Sequence, residues 1–289
     1  MLTRRPRLLV VQGDTSSAFG AALAAFATGV PVAHVEAGLR TYDPLLPWPE
    51  EEFRCAIDAR ADLLFAPTAV SAANLASERL GGTVHVTGNS GIDALLDTVA
   101  SLPPEQFRET GPKRLLVTCH RRESWSSGLE EIGNAVAAIA GRGDVAIELV
   151  LHPNPGVAEP LRRRLGDLAA VNLIAPLSHR ALIERMRDCD LILSDSGGIQ
   201  EEAPALGVPL LVLRDKTERP EALASGNARL VGVNADQIIA EANRLLDDPS
   251  LWAAMANRAF PFGDGRSAPR IASIIERWLT GERSPAQAG

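Results

Sequence analysis

Short apolar, β-branched runs alternate with amphipathic stretches along this 289-residue chain, the pattern of parallel strands joined by crossover helices. One series of runs starts at Leu8, Val30, Leu63 and Val84, and a second at Leu115, Ile147, Val171, Leu191, Leu210 and Leu230. Between them lies Leu102-Pro-Pro-Glu-Gln-Phe-Arg-Glu-Thr-Gly-Pro, whose helix breakers read as an interdomain linker. The expected class is α/β, with two Rossmann-like doubly wound domains. Residues 1–101 form the first and shorter domain, 102–113 the linker, 114–262 a complete second domain, and 263–289 a helix and tail. That last helix carries Ile271, Ile274, Ile275 and Trp278 at helical spacing, an apolar face to cover a surface of the first domain. Two such domains would place strand C-terminal ends, and the loops that carry chemistry, on both walls of a cleft.

Composition narrows the class. Hydrophobic residues make up 46% and charged residues 22%, as in ordinary globular domains. A net charge of −7 argues against a nucleic-acid surface, so an anionic ligand has to be captured by local positive groups. Cys55, Cys119 and Cys189 lie far apart, which suggests neither a metal site nor a disulfide framework and fits a reducing cytoplasm. No apolar run approaches the ~18 residues of a membrane span, and the basic start at Met1 leads into a strand rather than a targeting segment.

Chemistry concentrates where strands end. Leu191-Ile-Leu is followed by Asp195-Ser-Gly-Gly-Ile-Gln-Glu-Glu, a strand that turns straight into a helix. Glycines let a phosphate approach the backbone, and the helix N-terminus supplies positive potential. Glu202, one turn into that helix, is placed to accept hydrogen bonds from a ribose; the plainer alternative is a turn capped by Asp195 and Ser196. Asp-Ser-Gly-Gly also surrounds a serine-protease nucleophile, but in an all-β setting that the helical continuation rejects. In the first series, Gln12-Gly-Asp14-Thr and His34-Val-Glu36-Ala-Gly put carboxylates on one rim, and Pro47-Trp-Pro-Glu50-Glu-Glu opens an acid-rich helical turn. Each has an ordinary reading as a cap or a complement to the helix dipole. Together, Asp14, Glu36 and Glu50 suit acid/base work, because like charges held close shift one another's pKa. In the second series, Thr118-Cys-His120-Arg121-Arg-Glu and Leu151-His152-Pro-Asn-Pro are strand-end histidines, the first with a solvated basic turn as its alternative. His85 and His179 have weaker contexts and read as structural. Arg214-Asp-Lys-Thr-Glu-Arg219-Pro-Glu follows the next strand, either reaching the same phosphates or forming a charged surface loop.

These segments, in order and over nearly the whole chain, resemble the non-hydrolysing UDP-N-acetylglucosamine 2-epimerases. The resemblance rests on Gln12-Gly-Asp-Thr, His34-Val-Glu-Ala-Gly-Leu-Arg-Thr, Pro47-Trp-Pro-Glu-Glu, His120-Arg-Arg-Glu, His152-Pro-Asn-Pro, Asp195-Ser-Gly-Gly-Ile-Gln-Glu-Glu-Ala-Pro, Thr217-Glu-Arg-Pro-Glu and Gly263-Asp-Gly-Arg. It implies the two-domain GT-B fold of nucleotide-sugar glycosyltransferases, usually as a homodimer, with UDP-N-acetylglucosamine and UDP as ligands; no redox cofactor is expected, consistent with the absence of a Gly-x-Gly-x-x-Gly fingerprint, and no metal. It puts Asp14, Glu36, Glu50 and His120 at catalytic positions. It puts Ser196, Gly197, Gly198, Glu202 and Arg219 in the UDP site, with Leu177 and Leu182 at the uracil ring. Arg121 and His152 match positions for a second, activating UDP-N-acetylglucosamine. Cys119, Phe53 and Ser124 depart from the family pattern, Phe53 standing where asparagine is common. Family members also begin with further strand–helix units, including a Gly-Thr-Arg-Pro-Glu turn, that this sequence does not contain.

The implied reaction inverts C2 of an N-acetylhexosamine, a carbon with no adjacent carbonyl to acidify its proton. Expulsion of UDP from C1 while a base takes the C2 proton gives a glycal, and re-addition with protonation on the opposite face completes the inversion. Two acid/base groups and an anion site are required. A glycosyltransferase of the same fold would have no need of the acidic trio. A truncated nucleotide-sugar-binding module and a hydrolysing epimerase compete with the non-hydrolysing reaction.

Overall fold

The computed structural model describes residues 6–104, 111–119 and 127–281. By packing, the chain divides into two compact units, Met1–Leu96 with Phe262–Gly289, and Asp97–Pro261. Each expected strand forms, with its start shifted by at most two residues. Among the described residues no helix is long and apolar enough to cross a membrane.

The first unit alternates β1 (Leu9–Gln12), α1 (Ser16–Thr28), β2 (Val32–Val35), α2 (Glu50–Asp58), β3 (Leu63–Ala66), α3 (Ala69–Ser77), β4 (Thr83–Val86) and the first turns of α4 (Ser90–Ala100), whose last four residues belong to the second unit. Its strands pair in parallel in the order β1-β2-β3-β4. A sheet that advances in one direction through right-handed crossovers collects its connecting helices on one face. There, Val11, Val32, Leu64 and Ala66 pack with Ala18, Ala22 and Ala25 of α1, Ile57 of α2 and Leu75 of α3. Alanines on the buried side of α1 let that helix lie close to the strands. Thr15 caps it, its Oγ1 accepting from the Ala18 amide at 3.1 Å. The opposite face, Ala33, Val35, Leu63 and Phe65, is covered by Ile271, Ile274 and Ile275 of the last helix, α12 (Ser267–Thr280). Asp93 of α4 fixes the start of α12, accepting from the Ser267 and Ala268 amides at 3.0 and 2.7 Å.

The second unit contains β5 (Lys113–Thr118), α5 (Ser127–Ala140), β6 (Val145–Val150), α6 (Pro155–Leu165), β7 (Val171–Ile174), α7 (His179–Asp188), β8 (Leu191–Ser194), α8 (Gly197–Leu206), β9 (Leu210–Val212), α9 (Pro220–Ala224), β10 (Ala228–Leu230), α10 (Ala235–Asp247) and α11 (Pro249–Met255). Its parallel sheet has the order β10-β9-β8-β5-β6-β7. Counted from its own first strand this is the doubly wound order, with the reversal of direction between β5 and β8. Ligands of such sheets bind beyond the carboxyl ends of the strands at that switch point. The unit's main core forms between Leu115, Val117, Ile147, Leu149, Leu191 and Leu193 of the sheet and helices α5, α6 and α10.

Candidate active site

In the first unit, β1 and β2 run in register, with Gln12 opposite Val35, so the residues that follow both strands leave the sheet side by side. Gly13 takes a left-handed φ of 66°, and the Glu36 Oε2 lies only 3.4 Å from where a Gly13 Cβ would stand. Glu36 itself has φ 70°, a conformation that costs a non-glycine residue ~1–3 kcal/mol and persists where surrounding structure enforces it. The Glu36 carboxylate thus lies against the turn that carries Asp14. Asp14 also pairs with α2: its Oδ2 is 2.5 Å from Nη2 of Arg54, a side chain only 2% exposed. Glu50, the first residue of α2, precedes Arg54 by four positions and so shares its helix face. Glu50 makes no ion pair among the described residues and is half-buried. Phe53, the departure from the family pattern, stacks on Phe19 of α1 with ring centroids 4.5 Å apart and ties α2 to α1.

Beneath these acids is a buried polar frame that no local sequence pattern announces. Asp58, the last residue of α2, receives His34 Nδ1 at 2.6 Å, Arg40 Nη1 at 2.8 Å and the Gly38 amide at 3.1 Å. The other ring nitrogen of His34 lies 2.9 Å from the Gly13 carbonyl oxygen, and Arg40 also holds Glu78 through Nε and Nη2 at 2.7 and 2.8 Å. One carboxylate therefore anchors both the turn before Asp14 and the loop after Glu36. Burial alone would push the Asp58 carboxyl up; hydrogen bonding and charge from His34 and Arg40 outweigh it and hold the group below its usual 3.8. A carboxyl lowered in the folded state adds stability above its unfolded pKa, and that stability is lost as the pH falls through the folded value. Thermal melts are expected to stay level near neutrality and drop below pH 3.8, and Asp58→Asn to flatten that acid limb; an unchanged acid limb in the variant would contradict the assignment.

In the second unit, the switch point joins the ends of β5 and β8. Thr118 and Ser194 share a hydroxyl hydrogen bond of 2.6 Å, the Ser196 amide donates to Ser194 Oγ at 3.0 Å, and Cys119 Sγ donates to Asp195 Oδ2 at 3.6 Å. Ser196 is the N-cap of α8 and uses no side-chain cap bond, with Gly197 buried and Gly198 exposed. Gly197 makes room for its neighbour: a Cβ there would lie 2.7 Å from Arg219 Nη1. Arg219 is buried; its Nε donates to Glu201 at 2.7 Å and its Nη1 to Glu218, while Arg214 Nη1 lies 3.0 Å from the other oxygen of Glu218. The segment with alternating charge thus places Arg214, Glu218 and Arg219 in a buried network, and only part of it faces solvent.

Leu177 precedes α7 and Leu182 lies in its first turns, both half-buried, with Ser178 capping the helix. His179 opens α7 with its Nε2 3.0 Å from Glu202 Oε1, so this histidine, which reads as structural in the sequence, lies against an expected nucleotide ligand. Burial pushes the Glu202 carboxyl up, and His179 offsets part of the rise. Removing His179 is therefore expected to raise the Glu202 titration further, followed by side-chain carbon NMR across pH; an unmoved titration would refute the coupling. His85 of β4 packs near Phe65 with centroids 5.9 Å apart. His152, just past β6, accepts the Asn154 amide on Nδ1 at 3.0 Å. His120 and Arg121 lie outside the described residues. No group of three metal-ligating side chains occurs among the described residues.

Comparison with known proteins gives this geometry a context. Residues 1–276 match the family model described as UDP-N-acetylglucosamine 2-epimerase. A UDP-N-acetylglucosamine 2-epimerase of Salmonella typhimurium is 43% identical over 287 residues, 95% of this chain and 76% of that protein. The crystal structure of the Neisseria meningitidis UDP-GlcNAc 2-epimerase bound to UDP-GlcNAc is 40% identical, with a TM-score of 0.91 over 94% of this chain and 76% of that one. The Methanocaldococcus jannaschii enzyme, in complex with UDP-GlcNAc and UDP, is 34% identical, with a TM-score of 0.84 over 95% of this chain and 77% of that one. With the parallel-sheet units of the GT-B type, the match over nearly all of its length makes this chain a member of the UDP-N-acetylglucosamine 2-epimerase family.

Proposed function

We propose that the protein interconverts UDP-N-acetylglucosamine and UDP-N-acetylmannosamine by eliminating and re-adding UDP. The observation that carries this reading is that Asp14 and Glu36 follow the ends of adjacent strands, with the Glu36 carboxylate against the Gly13 turn that carries Asp14 and Glu36 itself in a strained conformation. In the forward direction a base takes the C2 proton, the C2–H electron pair forms the C1=C2 bond, and the C1–O pair leaves with UDP. Return of UDP to C1 with proton delivery to the other face of C2 gives the epimer, and the sequence is redox-neutral. Asp14, Glu36 and Glu50 share the base and acid roles, and His120 assists the departing UDP. The α8 N-terminus holds the diphosphate through the backbone N–H groups of Gly197 and Gly198, with Ser196, whose own amide is bound to Ser194, contributing its side chain.

Arg219 stands behind Gly197 with two carboxylates against it, so its part is to shape the glycine turn that receives the UDP. Glu202 accepts from the ribose, and Leu177 and Leu182 frame the uracil. Arg121 and His152 serve a second UDP-N-acetylglucosamine. Support for the ligand comes from the nucleotide-sugar complexes of the two similar enzymes. A homodimer working in the cytoplasm completes the proposal. Incubation with UDP-N-acetylglucosamine in deuterated water tests it: UDP-N-acetylmannosamine carrying deuterium at C2 is expected. Transfer of sugar to an acceptor would favour a glycosyltransferase, free N-acetylmannosamine a hydrolysing epimerase, and neither exchange nor transfer a binding module.

A further inference from the structure

We infer that Arg54 is a positioning residue that sets the place of the Asp14 carboxylate and couples it to the helix carrying Glu50. The inference rests on the reading of Asp14 as an acid/base group. Arg54 lies in α2, and its side chain is almost fully buried, yet it spends its closest contact on Asp14, whose own side chain is 24% exposed. Its Nη1 lies 3.4 Å from Glu51 Oε2. Glu51 is in turn locked, accepting from the Thr41 amide at 3.0 Å and the Tyr42 amide at 2.9 Å. The guanidinium is therefore held on one side by the loop that follows Glu36 and on the other grips Asp14. Glu50, Glu51 and Arg54 occupy successive positions on one helix face, so any shift of α2 moves the acid of the helix and the partner of the strand-end acid together.

The choice of residue fits this task better than packing does. Nε and Nη1 of Arg54 have no hydrogen-bond partner among the described residues, an expensive way to fill space with a charge. A methionine of similar length would pack the same volume without that cost. What methionine cannot supply is a planar cation that sits with Nη1 beside Glu51 while Nη2 holds the Asp14 carboxylate. Asp14 lies in the turn between the left-handed Gly13 and the cap Thr15, past the end of β1, and Arg54 of α2 is its ion-pair partner there. A displacement of about 1 Å at a reacting group can cost ~100-fold in rate.

The experiment pairs crystal structures of Arg54→Met and Arg54→Lys with turnover of UDP-N-acetylglucosamine in deuterated water. In Arg54→Met the Asp14 carboxylate is expected to leave its position, with kcat falling ~100-fold and KM changing less than ~3-fold. Arg54→Lys keeps the charge without the fork and is expected to recover ~10-fold of the lost kcat. A merely structural arginine would lower thermal stability and leave kcat per folded molecule intact, and that result overturns the inference. An Asp14 carboxylate unmoved in Arg54→Met overturns it as well, whatever the turnover. A displaced Asp14 in a protein whose wild type exchanges no C2 hydrogen leaves the inference standing and rejects the epimerase reading instead. Should Arg54→Met fail to fold, the lysine variant carries the test: an unmoved Asp14 with wild-type kcat rejects the inference, and a displaced one with reduced kcat supports it.

Discussion

Glu36→Gln is expected to lower kcat for C2 epimerisation by ~10²–10⁴-fold, the range for loss of a positioned acid or base. Glutamine keeps the volume and adopts the same strained φ of 70° at the same cost, so the change isolates proton transfer from folding. The β1–β2 register and the Gly13 turn that present the side chain are backbone features and survive the substitution. UDP affinity, which the reading assigns to α8 and α7, is expected to stay within about twofold by calorimetry, so the loss falls on kcat rather than on binding. Turnover retained near the wild-type level would remove Glu36 from the chemistry.

Asp58→Asn is expected to produce the largest loss of stability, ~3–5 kcal/mol, as for one partner removed from a buried ionic group. The carboxylate is fully buried and serves His34, Arg40 and the Gly38 amide at once. An asparagine can satisfy some of these hydrogen bonds but cannot balance the buried Arg40 guanidinium, which is left with Glu78 as its carboxylate partner among the described residues. The His34 clamp on the Gly13 carbonyl would loosen with it, so catalysis should decline in step with stability. Urea unfolding of both proteins measures the difference; a change below about 1 kcal/mol would place Asp58 among ordinary surface-grade ion pairs.

How much of this is legible before folding depends on the range of the interaction. Parallel strands buried on both faces read as unbroken apolar runs, and Leu191–Leu193 and Leu63–Phe65 announce themselves without any knowledge of their neighbours. Polar residues directly after such runs are also local signals, and Asp14, Glu36 and Ser196 stand out in that way. Pairings across the chain have no such signature. Asp14 and Arg54 are separated by forty positions, and nothing in either segment names the other. Asp58 looks like the plain end of a helix, although its spacing of four from Arg54 puts it on the same face.

Charge density misleads in the opposite direction. The run from Arg214 to Glu221 has the composition of a solvated loop, yet Arg214, Glu218 and Arg219 are buried because they neutralise one another and Glu201. A histidine at a helix start, such as His179, has many uses, and only the approach of α7 to α8 gives it Glu202 as partner. The helix breakers of 102–112 mark where α4 ends, whereas the change of packing partner falls earlier, between Leu96 and Asp97, inside a helix whose sequence continues without a break.

The central claim is that the bond between C1 and the UDP oxygen breaks while carbon 2 exchanges its hydrogen. UDP-N-acetylglucosamine labelled with oxygen-18 in the sugar–phosphate bridge, turned over in deuterated water, tests both events in one tube. The account predicts that label migrates from the bridge into the non-bridging β-phosphate oxygens while deuterium enters C2. Deuterium at C2 with every oxygen-18 atom still in the bridge would contradict it.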